Sequence, residues 1–208
     1  VCSSDLVWKS KSGDGIWMSL IIKPKIEPYK APFLTLVAGA SVVKALSNLG
    51  VEASIKWPND IIVHNKKICG ILTELSAEME RVNYVVIGIG INIKTIDFPD
   101  EIKEKATSLY KEGYKLSRVD IVRQFCIEFE KLYKGYILDG NKQDTLELCR
   151  KYSAIIGKQV YVIKNNKREL VKCIDINENG NLIVKEKNGE IQEIMSGEVS
   201  IRGVKGYV

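Results

Sequence analysis

A tryptophan–proline break between two apolar runs constrains this chain more than any other feature. Val51, Ala53 and Ile55 alternate up to Lys56-Trp57-Pro58-Asn59-Asp60, and Ile61, Ile62 and Val63 resume the apolar pattern beyond it. Pro58 fixes φ and removes a backbone donor, while Asn59 and Asp60 favour turns and carry polar oxygens. The polar pair therefore interrupts a buried sheet, where unpartnered polar side chains cost free energy. Lys66 and Lys67 follow, and Gly70 opens another apolar run through Ile71 and Leu72. Oxygens suited to Mg²⁺, lysines suited to phosphate and a glycine that admits a close ligand lie together. That grouping points to a nucleotide site.

The rest of the chain reads as an α+β protein. Residues 15–23 alternate and stop at Pro24, as a strand does, and Pro28 and Pro32 bound a loop. The Ala-, Leu- and Val-rich run from Phe33 to Leu49 ends at Gly50 and reads as a buried helix. Residues 51–57, 60–64, 67–77 and 82–93 read as four strands of a mainly antiparallel sheet, with turns at Asn65-Lys66 and Glu80-Arg81. Pro99-Asp100 is expected to open a short helix through Tyr110. Ser117 and Asp120 resemble a capping box, followed by an apolar stripe of Ile121, Val122, Phe125, Phe129, Leu132 and Tyr136. A further helix is expected from Lys142 to Tyr152.

After Gly157 the periodicity shortens. Runs 159–163, 169–177, 182–187, 191–195 and 199–201 alternate, separated by turns at Asn166, Asn179-Gly180-Asn181 and Asn188-Gly189. Five short strands in so little chain indicate a small barrel. The expected organisation is a domain over 1–154 and a second over 155–208.

At 208 residues and 45% hydrophobic composition, the chain can bury a substantial core. The apolar stretches look too short to span a bilayer, and no signal-peptide pattern opens the chain. Five scattered cysteines without metal-ligand spacing read as reduced thiols, hence a cytoplasmic protein. The single histidine, His64, reads as an exposed turn residue, so histidine-based catalysis is hard to build. Net charge is +5, but the basic residues are interleaved with acids, which describes solvated faces better than a nucleic-acid stripe. No RNA affinity is expected of the C-terminal barrel either.

Val86-Ile87-Gly88-Ile89-Gly90-Ile91-Asn92-Ile93 adds a third motif. Gly88, Gly90 and Asn92 are spaced to face one side of a strand, where the glycines leave room for a ligand against the backbone. Together with Lys56-Trp57-Pro58-Asn59-Asp60 and Lys66-Lys67-Ile68-Cys69-Gly70-Ile71-Leu72, this sequence resembles the biotin protein ligases in motif, order and spacing. Trp8-Lys9-Ser10, Gly13 to Ser19 and Ser196 to Arg202 extend the likeness over nearly the whole chain from Val7.

The resemblance implies a biotin/lipoate ligase-like catalytic domain with an SH3-like C-terminal domain. It also implies a two-step reaction: biotin and ATP give biotinyl-5′-AMP and pyrophosphate, and a lysine of a biotin carboxyl carrier domain then takes the biotin. Lys67 is the catalytic candidate, bridging the biotin carboxylate and the α-phosphate, although a Lys-Lys pair is also the composition of a solvated turn. Lys56 is either an electrostatic supporter or a surface lysine. Lys67, Gly70, Ile71, Leu72 and Gly88 are assigned to biotin. Trp8, Asn59, Asp60, Gly90 and Asn92 are assigned to the nucleotide, with Asn59 and Asp60 also candidate Mg²⁺ ligands. A homodimer is among the assemblies the resemblance allows. A non-catalytic adenylate sensor and a lipoate–protein ligase are the alternative readings.

The likeness departs at the start. Where the family has a Gly-Arg-rich loop that clamps the ligands, Val1-Cys2-Ser3-Ser4-Asp5-Leu6 carries neither residue type. The expectation is a chain that begins inside its catalytic domain and binds adenylate weakly or is inactive.

Overall fold

The computed structural model describes residues 13–164, 167–197, 200–204 and 206–208. Five strands build the first sheet: β1 (Gly15–Ile22), β2 (Ser54–Lys56), β3 (Asp60–Val63), β4 (Lys66–Ala77) and β5 (Val82–Asn92). They lie in the order β1-β5-β4-β3-β2, and every neighbouring pair is antiparallel. The β3–β4 hairpin turns on His64 and Asn65, both at positive φ, 46° and 62°. Two positive φ values match the right-handed twist of the flanking strands.

Helix α1 (Phe33–Asn48) covers one face of this sheet. It is buried nearly all round, from Leu34 through Leu46, because α2 (Arg118–Asp139) packs on its other side. Leu49 follows the helix and Gly50, at φ 80°, leaves it in the left-handed conformation. The stripe on α2 is apolar as expected, with Ile121, Phe125, Phe129, Leu132 and Tyr136 buried. Tyr136 satisfies its hydroxyl by donating to the carbonyl of Lys30 at 2.9 Å. Helix α3 (Gln143–Lys151) completes the layer.

Two expectations need correction. Segment 28–48 is long and apolar enough to cross a membrane by length and composition, contrary to the reading of short stretches, but most of it is buried as a core helix. Residues 99–110 form hydrogen-bonded turns in place of a helix. Tertiary pairing decides the second case: the Lys67 amide donates to the Lys105 carbonyl at 2.8 Å, and the Thr107 amide returns to the Lys67 carbonyl at 2.9 Å. A continuing helix would withhold those groups from the sheet edge.

The second sheet contains β6 (Gln159–Lys164), β7 (Lys167–Ile176), β8 (Leu182–Lys185), β9 (Ile191–Ile194) and β10 (Ser200–Gly203), in the order β10-β6-β7-β8-β9. It forms the SH3-like barrel around Val160, Val171, Cys173, Ile176, Leu182 and Val184. Asn166, Glu198 and Val199 lie outside the described residues. Specific bonds join the barrel to the loop after β2 and to α3. Trp57 Nε1 donates to the Gly180 carbonyl at 2.9 Å, and Arg150 Nε to Asp175 Oδ1 at 2.8 Å. Gly180 sits at φ 84°, and a Cβ there would come within 2.4 Å of Leu36. Only glycine fits that junction.

Candidate active site

Antiparallel register places one residue from each strand in a single row: Trp17 opposite Gly90, Gly90 opposite Gly70, Gly70 opposite Asp60, and Asp60 opposite Lys56. Directly opposed residues share a face. The row therefore runs across the whole sheet, on the face away from α1. Leu72 and Gly88 are paired on that same face, and Asn92 lies two residues beyond Gly90. Ile87, Ile89 and Ile91 alternate with them into the core.

Gly70 has a specific reason to lack a side chain. The Lys67 side chain folds back over it, and a Cβ on Gly70 would lie 3.0 Å from Lys67 Nζ and 3.1 Å from Cε. From there the ammonium reaches Asp60 Oδ1 in a close ion pair. The β-bulge between Ile61 and Ile62 makes this geometry, since Cys69 pairs with Ile61 and Lys67 with Ile62, leaving Ile68 unpaired. A bulge re-aims the side chains beside it.

Lys56 is a buried residue, 3% exposed, and not a surface lysine. Its ammonium stands 3.5 Å from the centroid of the Tyr207 ring and has no hydrogen-bond partner among the described residues. Burial pushes it down to about 8; the charges of Arg202, Lys67 and Lys105 push the same way, and Asp60 opposes them. Lys67, Arg202 and Lys105 thus act on Lys56 as nearby positive charges, with Asp60 the one opposing carboxylate among them, a balance that suits a polyanionic ligand.

Asn59 and Asn92 are held in place. Asn59 Nδ2 donates to the Ile71 carbonyl at 2.8 Å, and Asn92 Nδ2 to the Thr107 carbonyl at 3.1 Å. Neither Oδ1 has a hydrogen bond among the described residues. Thr107 in turn donates to Glu112, whose other oxygen meets His64 Nδ1 at 2.5 Å. Burial works against charge on Glu112, yet the Thr107 and His64 hydrogen bonds hold its carboxyl below the usual range.

Ile71 is a correction. It is 2% exposed and faces α1, its Cδ1 lying 3.8 Å from where a Cβ on Gly39 would stand, so its side chain does not line the open face. Trp8 and the six residues at the start lie outside the described residues. Trp17 and Tyr207 also border this face, and neither is singled out by the sequence. Trp17 stands opposite Gly90, a relation visible only once the register is known. Tyr207 has no motif around it.

Among the described residues no group of three or more His, Cys, Asp or Glu gathers as a metal site. Asp60 already has Lys67 on Oδ1 and Tyr207 on Oδ2. This donor set is too small for a protein cage, but it fits Mg²⁺ that arrives on phosphates and keeps its remaining ligands from them and from water.

A bulged antiparallel sheet with a glycine floor, a lysine folded across it and an SH3-like barrel docked at one end defines a biotin/lipoate ligase-like protein. Residues 3–92 match the biotin/lipoate A/B protein ligase family, and residues 155–202 match the biotin protein ligase C-terminal domain. The chain belongs to the biotin protein ligase family. It is 40% identical over 199 residues to the bifunctional ligase/repressor BirA of Bacillus spizizenii, covering 94% of this chain and 61% of that protein. It is 31% identical over 111 residues to the biotin–[acetyl-CoA-carboxylase] ligase of Mycobacterium tuberculosis, covering 51% of this chain and 39% of that one. The biotin protein ligase of Aquifex aeolicus in complex with biotin and ATP superposes with a TM-score of 0.78 at 27% identity, covering 91% of this chain and 79% of that one. The chain spans less than two thirds of the length of these curated relatives.

Proposed function

We propose that this protein is an ATP-dependent biotin–protein ligase acting on the biotin carboxyl carrier domain of a biotin-dependent carboxylase. The observation that carries this reading is the Lys67 ammonium held over the Gly70 backbone beside Asp60, at the charged end of the row. One relative is a biotin–[acetyl-CoA-carboxylase] ligase, which supports the acceptor.

In the first step a biotin carboxylate oxygen attacks the α-phosphorus of ATP, and pyrophosphate leaves. Two anions must meet, so the barrier falls when positive charge is held ready in a site that excludes water. Asp60 keeps Lys67 in place until the biotin carboxylate and the α-phosphate take its ammonium between them. Lys56, Lys105 and Arg202 add to the positive field around the phosphates. Asp60 and Asn59 Oδ1 would meet the Mg²⁺ that neutralises the triphosphate. Gly70, Leu72 and Gly88 form the floor for biotin; Gly90, Asn92 and Trp17 form the floor for the adenylate. In the second step the acceptor lysine amine attacks the carbonyl carbon of the mixed anhydride, AMP leaves, and the amine loses a proton.

The domain boundary is proposed at residues 154/155. A cytoplasmic location, also proposed, suits the free thiols of Cys69, Cys126, Cys149 and Cys173.

Incubation with ATP, labelled biotin and a carrier domain tests the function, read as label on the carrier lysine. Transfer of lipoate but not biotin would overturn the reading. Tight binding of biotinyl-5′-AMP without transfer would mark an adenylate sensor instead.

A further inference from the structure

The last described residues do more than end the barrel. After β10 the chain doubles back on itself: a Cβ on Gly203 would lie 2.3 Å from the Val208 carbonyl carbon, so the tail rests directly on that glycine's backbone. Gly206, at φ 83°, takes a left-handed step beside it. This return carries Tyr207 into the site, where it is 8% exposed. Its hydroxyl donates a short hydrogen bond to Asp60 Oδ2, across 147 positions of sequence. Its ring lies 3.5 Å from the Lys56 ammonium. Asp60 uses its other oxygen for Lys67. One phenol thus connects all three charged residues at the end of the row, directly or through Asp60.

We propose that Tyr207 is a positioning residue of the adenylation site, a phenol delivered by the C-terminal tail that fixes the Asp60 carboxylate and caps the Lys56 ammonium. The proposal rests on the ligase reading above, and it makes the small C-terminal domain part of the reaction centre. The chemistry suits the task. A carboxylate with one oxygen tied to a phenol presents the other in a fixed direction toward Lys67. A buried ammonium without a hydrogen-bond acceptor is costly, and an aromatic face gives it a partner that does not neutralise it. Burial, and then the Asp60 charge, push the phenol well above its usual range, so Tyr207 remains the donor.

Three variants of the full chain separate the roles. Tyr207→Phe keeps the ring and loses the hydroxyl; Tyr207→Leu loses both; Gly203→Ala keeps the phenol and displaces the tail. With biotin and Mg·ATP, pyrophosphate release by Tyr207→Phe should fall about tenfold or more in kcat, as expected for a lost hydrogen bond to a charged group. Its KM for biotin should stay near wild type, and its melting temperature should fall by no more than one lost hydrogen bond explains. Tyr207→Leu and Gly203→Ala should fall further.

A second arm needs no ligand: acetylation of Lys56 by acetic anhydride, read by mass spectrometry. Lys56 should be protected in wild type and Tyr207→Phe, and reactive in Tyr207→Leu and Gly203→Ala. Equal reactivity in all four would show that the tail does not lie on Lys56 and overturns the proposal, whatever the protein catalyses. Unchanged kcat in both Tyr207 variants, or unchanged kcat in Tyr207→Phe with losses of kcat and melting temperature confined to Tyr207→Leu, would also overturn it by reducing Tyr207 to packing. Failure to release pyrophosphate by a wild-type chain with the Gly-Arg-rich loop restored upstream, with Lys56 protection as expected, refutes the ligase reading and with it the catalytic role of Tyr207, but not the contact.

Discussion

The two faces of the first sheet are built from alternate residues of the same strands and do opposite things. On β5, Ile87, Ile89 and Ile91 are buried against the layer of α1, while Gly88, Gly90 and Asn92 share the other face. On β4, Ile71 faces the helix, and Gly70 and Leu72 face away. The helix face removes apolar surface from water and so stabilises the fold. The glycine face forgoes that gain and offers bare backbone, bordered by Lys67, Asp60 and Lys56. A sheet alternating with period two can thus separate stability from function without separating them in sequence.

Substitutions on either face should break or sharpen that division. With the Gly-Arg-rich loop restored upstream, Lys67→Ala should do most, lowering the rate of biotinyl-5′-AMP formation by about 10²–10³, as for other preorganised electrostatic groups. Its melting temperature should hardly change, because the side chain is partly exposed. Near-normal pyrophosphate release would reduce Lys67 to a turn residue. Gly90→Val comes next. It should melt near wild type, since valine suits a strand, yet lose the ligand-induced stabilisation that amounts to about 2.7 kcal/mol at 100-fold excess over Kd. Thermal shifts with and without biotin plus ATP would show whether the glycine floor is the binding face.

Trp57→Phe tests the junction between sheet and barrel. Removing the indole donor leaves the Gly180 carbonyl without that hydrogen bond, and the expected loss is about 1–3 kcal/mol in denaturant unfolding. Ile89→Val, on the helix face, should cost only about 0.5–1.5 kcal/mol and leave ligand binding intact. If Ile89→Val abolished binding while Gly90→Val kept it, the two faces would have been assigned the wrong way round.

Lys56→Met supplies the subtlest test, because its effect depends on pH. The lysine's folded value, about 8, lies below its usual 10.5, so the folded state holds fewer protons than the unfolded state between those values. Wild-type stability should therefore rise with pH across that window. Well below pH 8 the buried ammonium burdens the fold in full, and Lys56→Met should melt higher than wild type. The gap should close as pH approaches 10.5. Melting curves from pH 7 to 10 check this, and a gap that widened with pH would contradict the assigned burial.

Local sequence determined most elements. Strands, the buried helix and the barrel's short runs are written in residues two to four apart, where periodicity and turn glycines act directly. Gly88, Gly90 and Asn92 were legible as one face for the same reason. The helix expected at 99–110 was not legible correctly, because its backbone groups are claimed by Lys67, far earlier in the chain. The inward turn of Ile71 is not legible in its motif, which names residues without saying which way each side chain points. The bulge at Ile61/Ile62, the row from Trp17 to Lys56 and the arrival of Tyr207 at Asp60 belong to tertiary structure alone. They depend on register and on contacts across as many as 147 positions, which no pattern of neighbouring residues encodes.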